Sequence, residues 1–226
     1  MRMSALIIAP PGMGKTVLLR RVRERLPETR YATYYLKVPR LSARDLCREI
    51  SFALGVKSAG NYPSLVRSIQ AHVEQVNANQ GLRPVIMLDD AHALKDQGYE
   101  LLKILTNFQM DSKLIVSFVL AGHLALKERL FRPDLADIRQ RLIHCGQLRL
   151  LSRDEALDYL TYRLRLAGAA TTLFDETGLD ALYDMTRGNM RALDNLALKS
   201  LTCAAKKSDK VANQNHVMEA GASLWT

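Results

Sequence analysis

The run Ser4-Ala5-Leu6-Ile7-Ile8-Ala9-Pro10-Pro11-Gly12-Met13-Gly14-Lys15-Thr16 constrains this 226-residue chain more than any other stretch. Its aliphatic half reads as a buried parallel strand, which is covered on both faces and so loses the usual alternation of polar and apolar residues. Two prolines end it. Gly12 and Gly14 then let backbone N–H groups converge on an anion where the next helix starts. Lys15 can reach β- and γ-phosphates, and Thr16 offers a hydroxyl to Mg²⁺. The spacing departs from G-x-x-x-x-G-K-[ST] at its first position, where Ala9 stands; alanine costs little there while φ stays negative. A helix from Thr16 to Leu26, with Val17, Leu18, Val22 and Leu26 turned inward, completes a strand-loop-helix unit. Pro11, Gly12, Met13, Gly14, Lys15, Thr16 and Val17 are the expected phosphate-binding residues.

A second landmark is Pro84-Val85-Ile86-Met87-Leu88-Asp89-Asp90, an apolar strand that ends in two carboxylates. Ligands of open α/β sheets sit outside the carboxyl ends of the strands, so these acids are expected beside the phosphate loop. Further strands are predicted over Tyr31–Val38, Leu114–Ala121, which ends at Gly122-His123, and Gln147–Leu151, with helices between them. Ser42 is expected to cap a helix over 43–54, and Ser64 to open the next. Five strands alternating with helices predict a doubly wound parallel sheet. From Ser152 the pattern becomes helical throughout. Ser152-Arg153-Asp154-Glu155 is a capping box, Asp175 opens a second helix, Gly188-Asn189 precedes a third and Gln214 starts a short last one. The expected organisation is a core over 1–151 and a small C-terminal helical lid over 152–226.

Charge is unevenly placed. The net charge is +9, and residues 1–151 hold 23 Lys+Arg against 13 Asp+Glu, whereas residues 152–226 hold 9 against 10. A basic excess on the phosphate-binding part suggests a polyanionic partner, nucleic acid first and an anionic membrane surface second. Arg20, Arg21, Arg23 and Arg25 share one helix and need no partner beyond water. Cys47, Cys145 and Cys203 have neither CxxC spacing nor a histidine cluster nearby, which argues against a zinc site or a disulfide framework and for core residues in a reducing compartment. The apolar runs are too short or too interrupted for a signal peptide or a membrane span, so the chain reads as cytoplasmic.

With phosphate loop, paired acids, a polar residue ending the next strand, an Arg-x-Arg segment and a helical lid in this order, the chain resembles the AAA+ ATPases. Leu105-Thr106-Asn107-Phe108-Gln109-Met110-Asp111-Ser112, Val119-Leu120-Ala121-Gly122-His123, Ile138-Arg139-Gln140-Arg141-Leu142 and Tyr162-Arg163-Leu164-Arg165-Leu166-Ala167-Gly168 are similar to the ExeA/GspA group. That group includes secretion-pathway ATPases and transposition helpers of the TnsC, TniB and MuB type. The resemblance implies ATP and Mg²⁺ as cofactors, with Lys15 and Thr16 on phosphates and metal and Asp89 holding the ion through water. It implies that Asp90 orients the attacking water. The class usually has Glu there, and the shorter side chain implies slow hydrolysis. His123 falls at the position of a polar sensor, Arg191 matches the lid's sensor arginine, and Arg139 or Arg141 matches the finger that completes a neighbouring subunit's site, Arg141 being preferred.

The resemblance further implies a homo-oligomeric ring or filament that forms with ATP on duplex DNA without sequence preference, with a transposase as protein partner. Lys37, Arg40, Arg44, Lys95, Lys103 and Lys113 are the candidate DNA contacts on the core. Two other roles stay open: an ATPase for secretion or pilus assembly, and a weakly hydrolysing nucleotide-dependent scaffold. Secretion members add a membrane segment and an envelope-binding region, whereas this sequence ends at Trp225-Thr226. Members also carry tens of residues before the first strand where only Met1-Arg2-Met3 stand, so a fragment or a shortened form is expected, with base specificity less determined than phosphate binding.

Overall fold

A computed structural model describes residues 4–38, 40–57, 60–106, 115–169 and 172–223. The chain divides into two compact units, one of Met1–Ala9 with Lys15–Leu148 and one of Pro10–Gly14 with Arg149–Thr226.

The first unit is an α/β layer structure. Its strands are β1 (Ser4–Ile8), β2 (Tyr31–Lys37), β3 (Arg83–Asp89), β4 (Ser117–Gly122) and β5 (Leu142–Gln147); its helices are α1 (Lys15–Arg25), α2 (Ala43–Ala53), α3 (Tyr62–Asn79), α4 (Asp96–Thr106), α5 (Leu124–Leu130) and α6 (Ala136–Arg141). All strand pairs are parallel, in the order β2-β3-β4-β1-β5. Side chains of a strand alternate between faces, and the three central strands bury both. Leu6, Ile8, Ile86, Leu88, Phe118 and Leu120 join the larger core with α2 to α6. Ile7, Val85, Met87, Val119 and Ala121 pack on Leu19 of α1. This double burial is why β1, β3 and β4 read as unbroken apolar runs.

Three expectations about strands and helices need correction. Val17 is 59% exposed, and the buried position of α1 belongs to Leu19, with Leu18, Val22 and Leu26 partly buried beside it. The fifth strand ends where it was expected to begin: β5 pairs Cys145 with Leu6 and Gln147 with Ile8, and Leu148 N–H closes the ladder on the Ile8 carbonyl. As an edge strand it exposes His144, Cys145 and Gly146 and carries little apolar signal, whereas Leu148, Leu150 and Leu151 mimic a strand pattern. Ser64 does not cap α3. Asn61 does, its Oδ1 accepting the Ser64 N–H at 3.1 Å, with Pro63 in the first turn, where a missing N–H costs nothing. The beginning of the predicted strand at Leu114 and the end of the helix after Thr106 lie outside the described residues.

The second unit consists of the loop Pro10–Gly14 and helices α7 (Arg153–Leu166), α8 (Glu176–Thr186), α9 (Met190–Lys206) and α10 (Gln214–Ala222), packed around Leu160, Phe174, Leu182, Leu193, Leu196 and Val217. The caps fall where the sequence places them. Ser152 and Glu155 form a reciprocal capping box, Asp175 Oδ1 accepts the Gly178 N–H at 2.8 Å, and Asn189 caps α9. The division at Leu148/Arg149 leaves Leu151 with the helices, where its N–H donates to the Gly188 carbonyl at 3.1 Å. Cys47 is buried, and burial pushes its thiol up to about 11; Cys145 is exposed and Cys203 intermediate, so only one of the three cysteines is a core residue. Among the described residues, no helix is long and apolar enough to cross a membrane.

Candidate functional site

In the sheet unit, Asp89 ends β3 and His123 follows β4, the strand beside it, with β1 next in the sheet. Lys15 opens α1, and its Nζ donates to the Ala9 carbonyl at 3.2 Å. Thr16 donates from Oγ1 to Asp89 Oδ2 at 2.5 Å. Asp89 is 1% exposed, and three donors meet its carboxylate: Thr16 and Tyr35 on Oδ2, the latter at 3.1 Å, and the Asp90 N–H on Oδ1 at 2.9 Å. A buried carboxylate needs such satisfaction, since an unpaired one would cost several kcal/mol, on the order of 3–5. Tyr35 hangs from β2, which runs beside β3 with Tyr35 opposite Met87 and Lys37 opposite Asp89. Burial first, and the neighbouring Asp89 second, push the Tyr35 phenol up to about 12, so it stays a donor.

Asp90 turns the chain. Its backbone is left-handed, with φ 56° and ψ 32°, a conformation Asp tolerates better than most residues. The turn delivers His92, whose ring lies 3.7 Å from that of His123, centroid to centroid, at 44°. His92 Nδ1 is buried without a hydrogen-bond partner, and burial, then the charge of His123, lowers its pKa below the ordinary histidine value. His123 caps α5 by accepting the Ala125 N–H on Nδ1 at 3.3 Å.

A cavity of about 690 Å³ opens at this pair and is lined by Arg40, His92, Lys95, Asp96, His123 and Arg129. Arg129 is held in place by the Leu94 carbonyl and Asp96, each at 2.6 Å, and its guanidinium carbon stands 5.1 Å from the Tyr99 ring centroid. Asp96 is held below the usual carboxylate range by these arginine hydrogen bonds. Arg40 and Lys95 are exposed.

Two of the candidate DNA contacts, Arg40 and Lys95, therefore share one cavity, whose lining does not include Lys37, Arg44 or Lys103. Lys37 is exposed at the end of β2 and Arg44 in the first turn of α2. Lys103 on α4 is ion-paired with Asp137 on α6. Lys113 lies outside the described residues. Arg139 donates to the Phe131 carbonyl at 3.3 Å and lies over its ring; Arg141 donates to the Thr106 carbonyl at 3.2 Å.

In the helical unit, the loop Pro10–Gly14 is fastened to the first turn of α9. Asn189 Nδ2 donates to the Pro11 carbonyl at 2.8 Å, and the Arg191 N–H donates to the Gly12 carbonyl at 3.2 Å. Gly12 and Gly14 have φ of 83° and 77°. A Cβ on Gly12 would sit 2.6 Å from Asn189 Oδ1, so the loop requires glycine there on two grounds. A cavity of about 420 Å³ borders the loop and is lined by Pro11, Gly12, Met185, Asn189, Arg191 and Leu196 among others. Met13 is buried, and Arg191 is exposed at its rim.

Tyr35, His92 and Asn189 escaped the reading of the sequence as site residues. Tyr35 counts as one aromatic in a β-prone run, and only the register of β2 against β3 brings it to Asp89. Asn189 reads simply as a helix cap.

A family model described as "AAA domain" matches residues 2–130. The general secretion pathway protein A of Aeromonas hydrophila is 30% identical over 209 residues, which is 91% of this chain and 38% of that protein. Among solved structures, Cdc6p from Pyrobaculum aerophilum superposes with a TM-score of 0.75 at 20% identity, over 98% of this chain and 60% of that one. The Aeropyrum pernix ORC1 protein in complex with DNA gives 0.71 at 18%, over 98% and 59%. The Thermotoga maritima RuvB Holliday junction branch migration motor gives 0.64 at 19%, over 98% and 62%. The chain thus spans less than two thirds of the length of each of these relatives.

Proposed function

The chain belongs to the AAA domain family of ATPases, and from that premise we propose that it binds ATP with Mg²⁺, hydrolyses it slowly and uses the nucleotide to control self-assembly on duplex DNA. The finer role we propose is that of a regulator or target-selection helper in DNA transposition, with a transposase as partner.

The two oxygens of Thr16 and Asp89 are hard donors 2.5 Å apart, with a carboxylate already aligned by Tyr35 and a backbone N–H. Such a set suits Mg²⁺, which keeps several waters and takes one or two protein oxygens. When bound, the ion supplies charge neutralisation at the phosphates. Lys15 adds a positive charge, and Asp90 takes a proton from the water whose oxygen attacks the γ-phosphorus as the bond to the β,γ-bridging oxygen breaks. The cavity beside the glycine loop has a size suited to the nucleoside, within the roughly 300–1,000 Å³ of small-molecule pockets.

One observation carries the DNA part of the reading. Arg40 and Lys95, exposed cations suited to backbone phosphates, open on the same cavity as His92 and His123, which follow the paired acids and β4. In this reading a polyanion engaged there would touch His123, the proposed sensor of the γ-phosphate. The fold supports DNA work elsewhere, as ORC1 was solved in complex with DNA; that is analogy of fold, and the cavity is the evidence in this chain. The test is fluorescence anisotropy with two unrelated duplexes, with and without a slowly hydrolysed ATP analogue. Binding should be equal for both duplexes, stronger with the analogue, and fall with salt at a log–log slope of about −0.9 per neutralised phosphate. Absence of binding at low salt in either state overturns the DNA reading.

A second reading, an ATPase of the general secretion pathway acting on protein partners at the membrane, is favoured by the 30% identity to the Aeromonas protein over nearly the whole chain.

A further inference from the structure

One side chain in the helical unit makes two bonds to two different elements. Asn189 Oδ1 accepts the Ala192 N–H at 3.1 Å and so caps α9, while its Nδ2 donates to the Pro11 carbonyl at 2.8 Å. The two partners fix the amide's orientation, because one is a donor and the other an acceptor. Next to it, the Arg191 N–H, one of the donors that every helix N-terminus leaves without an intrahelical partner, is taken by the Gly12 carbonyl. Two successive loop carbonyls are thereby turned toward α9.

A trans peptide is planar, with its C=O and N–H pointing in opposite directions. Drawing the Pro11 carbonyl to Asn189 therefore turns the Gly12 N–H away from α9. It also removes from the loop's inner side a carbonyl whose partial negative charge would repel phosphate. A Cβ at position 12 would stand 2.6 Å from Asn189 Oδ1, so only glycine fits against the clamp.

We infer that Asn189 is a positioning residue for nucleotide: the cap of α9 doubles as a clamp that aims the Gly12 N–H at the phosphates. The inference rests on the proposed nucleotide site and goes beyond Arg191, the lid residue that the sequence singles out.

Capping and clamping are separable by substitution. In Asn189→Ser the hydroxyl caps α9 as well as Asn does, but it is too short to reach Pro11. In Asn189→Asp an acceptor oxygen still caps, and the clamp's donor becomes a negative oxygen set against a carbonyl. The experiment measures Kd for a fluorescent ATP analogue and, for the free proteins, the thermal midpoint. Asn189→Ser should lower the midpoint only slightly, through the one lost bond to Pro11, and bind ATP about tenfold more weakly, and Asn189→Asp should bind more weakly still. Native affinity in Asn189→Ser overturns the clamp, as does a fall in midpoint that accounts for the whole loss. Lys15→Ala is the control: if it binds ATP like the native protein, the nucleotide site itself is misplaced and the inference falls with it. A loss in Lys15→Ala with none in Asn189→Ser refutes the clamp alone.

Discussion

Thr16 Oγ1 donates to Asp89 Oδ2 across 2.5 Å, joining the start of α1 to the end of β3 over 73 positions of sequence. The same carboxylate oxygen receives the Tyr35 hydroxyl, so a residue of β2 holds the acid that, in the proposed site, Thr16 would share with a metal ion. Tyr35→Phe removes that donor and nothing else of comparable size. One hydrogen bond to a charged acceptor is worth about 1.5–3 kcal/mol. The Mg²⁺ concentration that half-saturates binding of an ATP analogue should rise several-fold, with metal-free binding of the nucleotide unchanged. An unchanged Mg²⁺ midpoint would show that Thr16 and the Asp90 N–H suffice to orient Asp89.

Asp90 should act as the base, reached through its left-handed turn. Asp90→Asn preserves size and suits the same backbone conformation, but its amide cannot accept the water's proton. Turnover should fall by about 10²–10⁴-fold with ATP affinity retained, as measured by single-turnover phosphate release and by analogue binding. Equal turnover would move the base elsewhere.

Much of this was legible in the sequence, and for a physical reason. Strands buried on both faces write their position in continuous apolar runs, and helix caps write theirs in Ser42, Ser152, Asp175 and Asn189. The edge strand β5 was misplaced because one side of it meets water and its residues follow neither pattern. The site divided along similar lines. Lys15, Thr16 and Asp89 announce themselves by local spacing, whereas Tyr35 and His92 reach their neighbours only through strand register and a turn, neither of which leaves a local signature. The pairing of Lys103 with Asp137 is equally invisible in sequence and ties that candidate DNA contact to α6.

The arginines near β5 act only across an interface if either is a finger. Arg141 donates to the Thr106 carbonyl and Arg139 to that of Phe131, so each substitution also costs about 1 kcal/mol of local structure. Mixing Lys15→Ala protein with Arg141→Ala protein should restore part of the activity that each lacks alone, because one subunit then offers an intact phosphate site and its neighbour an intact arginine. Recovery with Arg139→Ala in place of Arg141→Ala would reassign the role. No recovery with either would place the sites within single subunits.

Acid should loosen the helical unit through Glu155. Its side chain accepts from Arg149 and from the Ser152 N–H, and these bonds hold its carboxyl at about 2, below the ordinary glutamate value of 4.5. The folded-state pKa is lowered, so the contribution is complete above pH 4.5 and lost as pH falls from 4.5 toward 2. Glu155→Gln should lower the thermal midpoint at pH 7 and flatten its decline over that acid range. A native-like slope in the variant would mean that other carboxylates govern acid sensitivity.

The most direct test of nucleotide hydrolysis coupled to DNA is steady-state phosphate release by the native protein and by Lys15→Ala, each with and without duplex DNA. The native protein should release phosphate slowly and change its rate several-fold when DNA is added, while Lys15→Ala should show no activity in either condition. Phosphate release that is indifferent to both DNA and Lys15 would contradict the account.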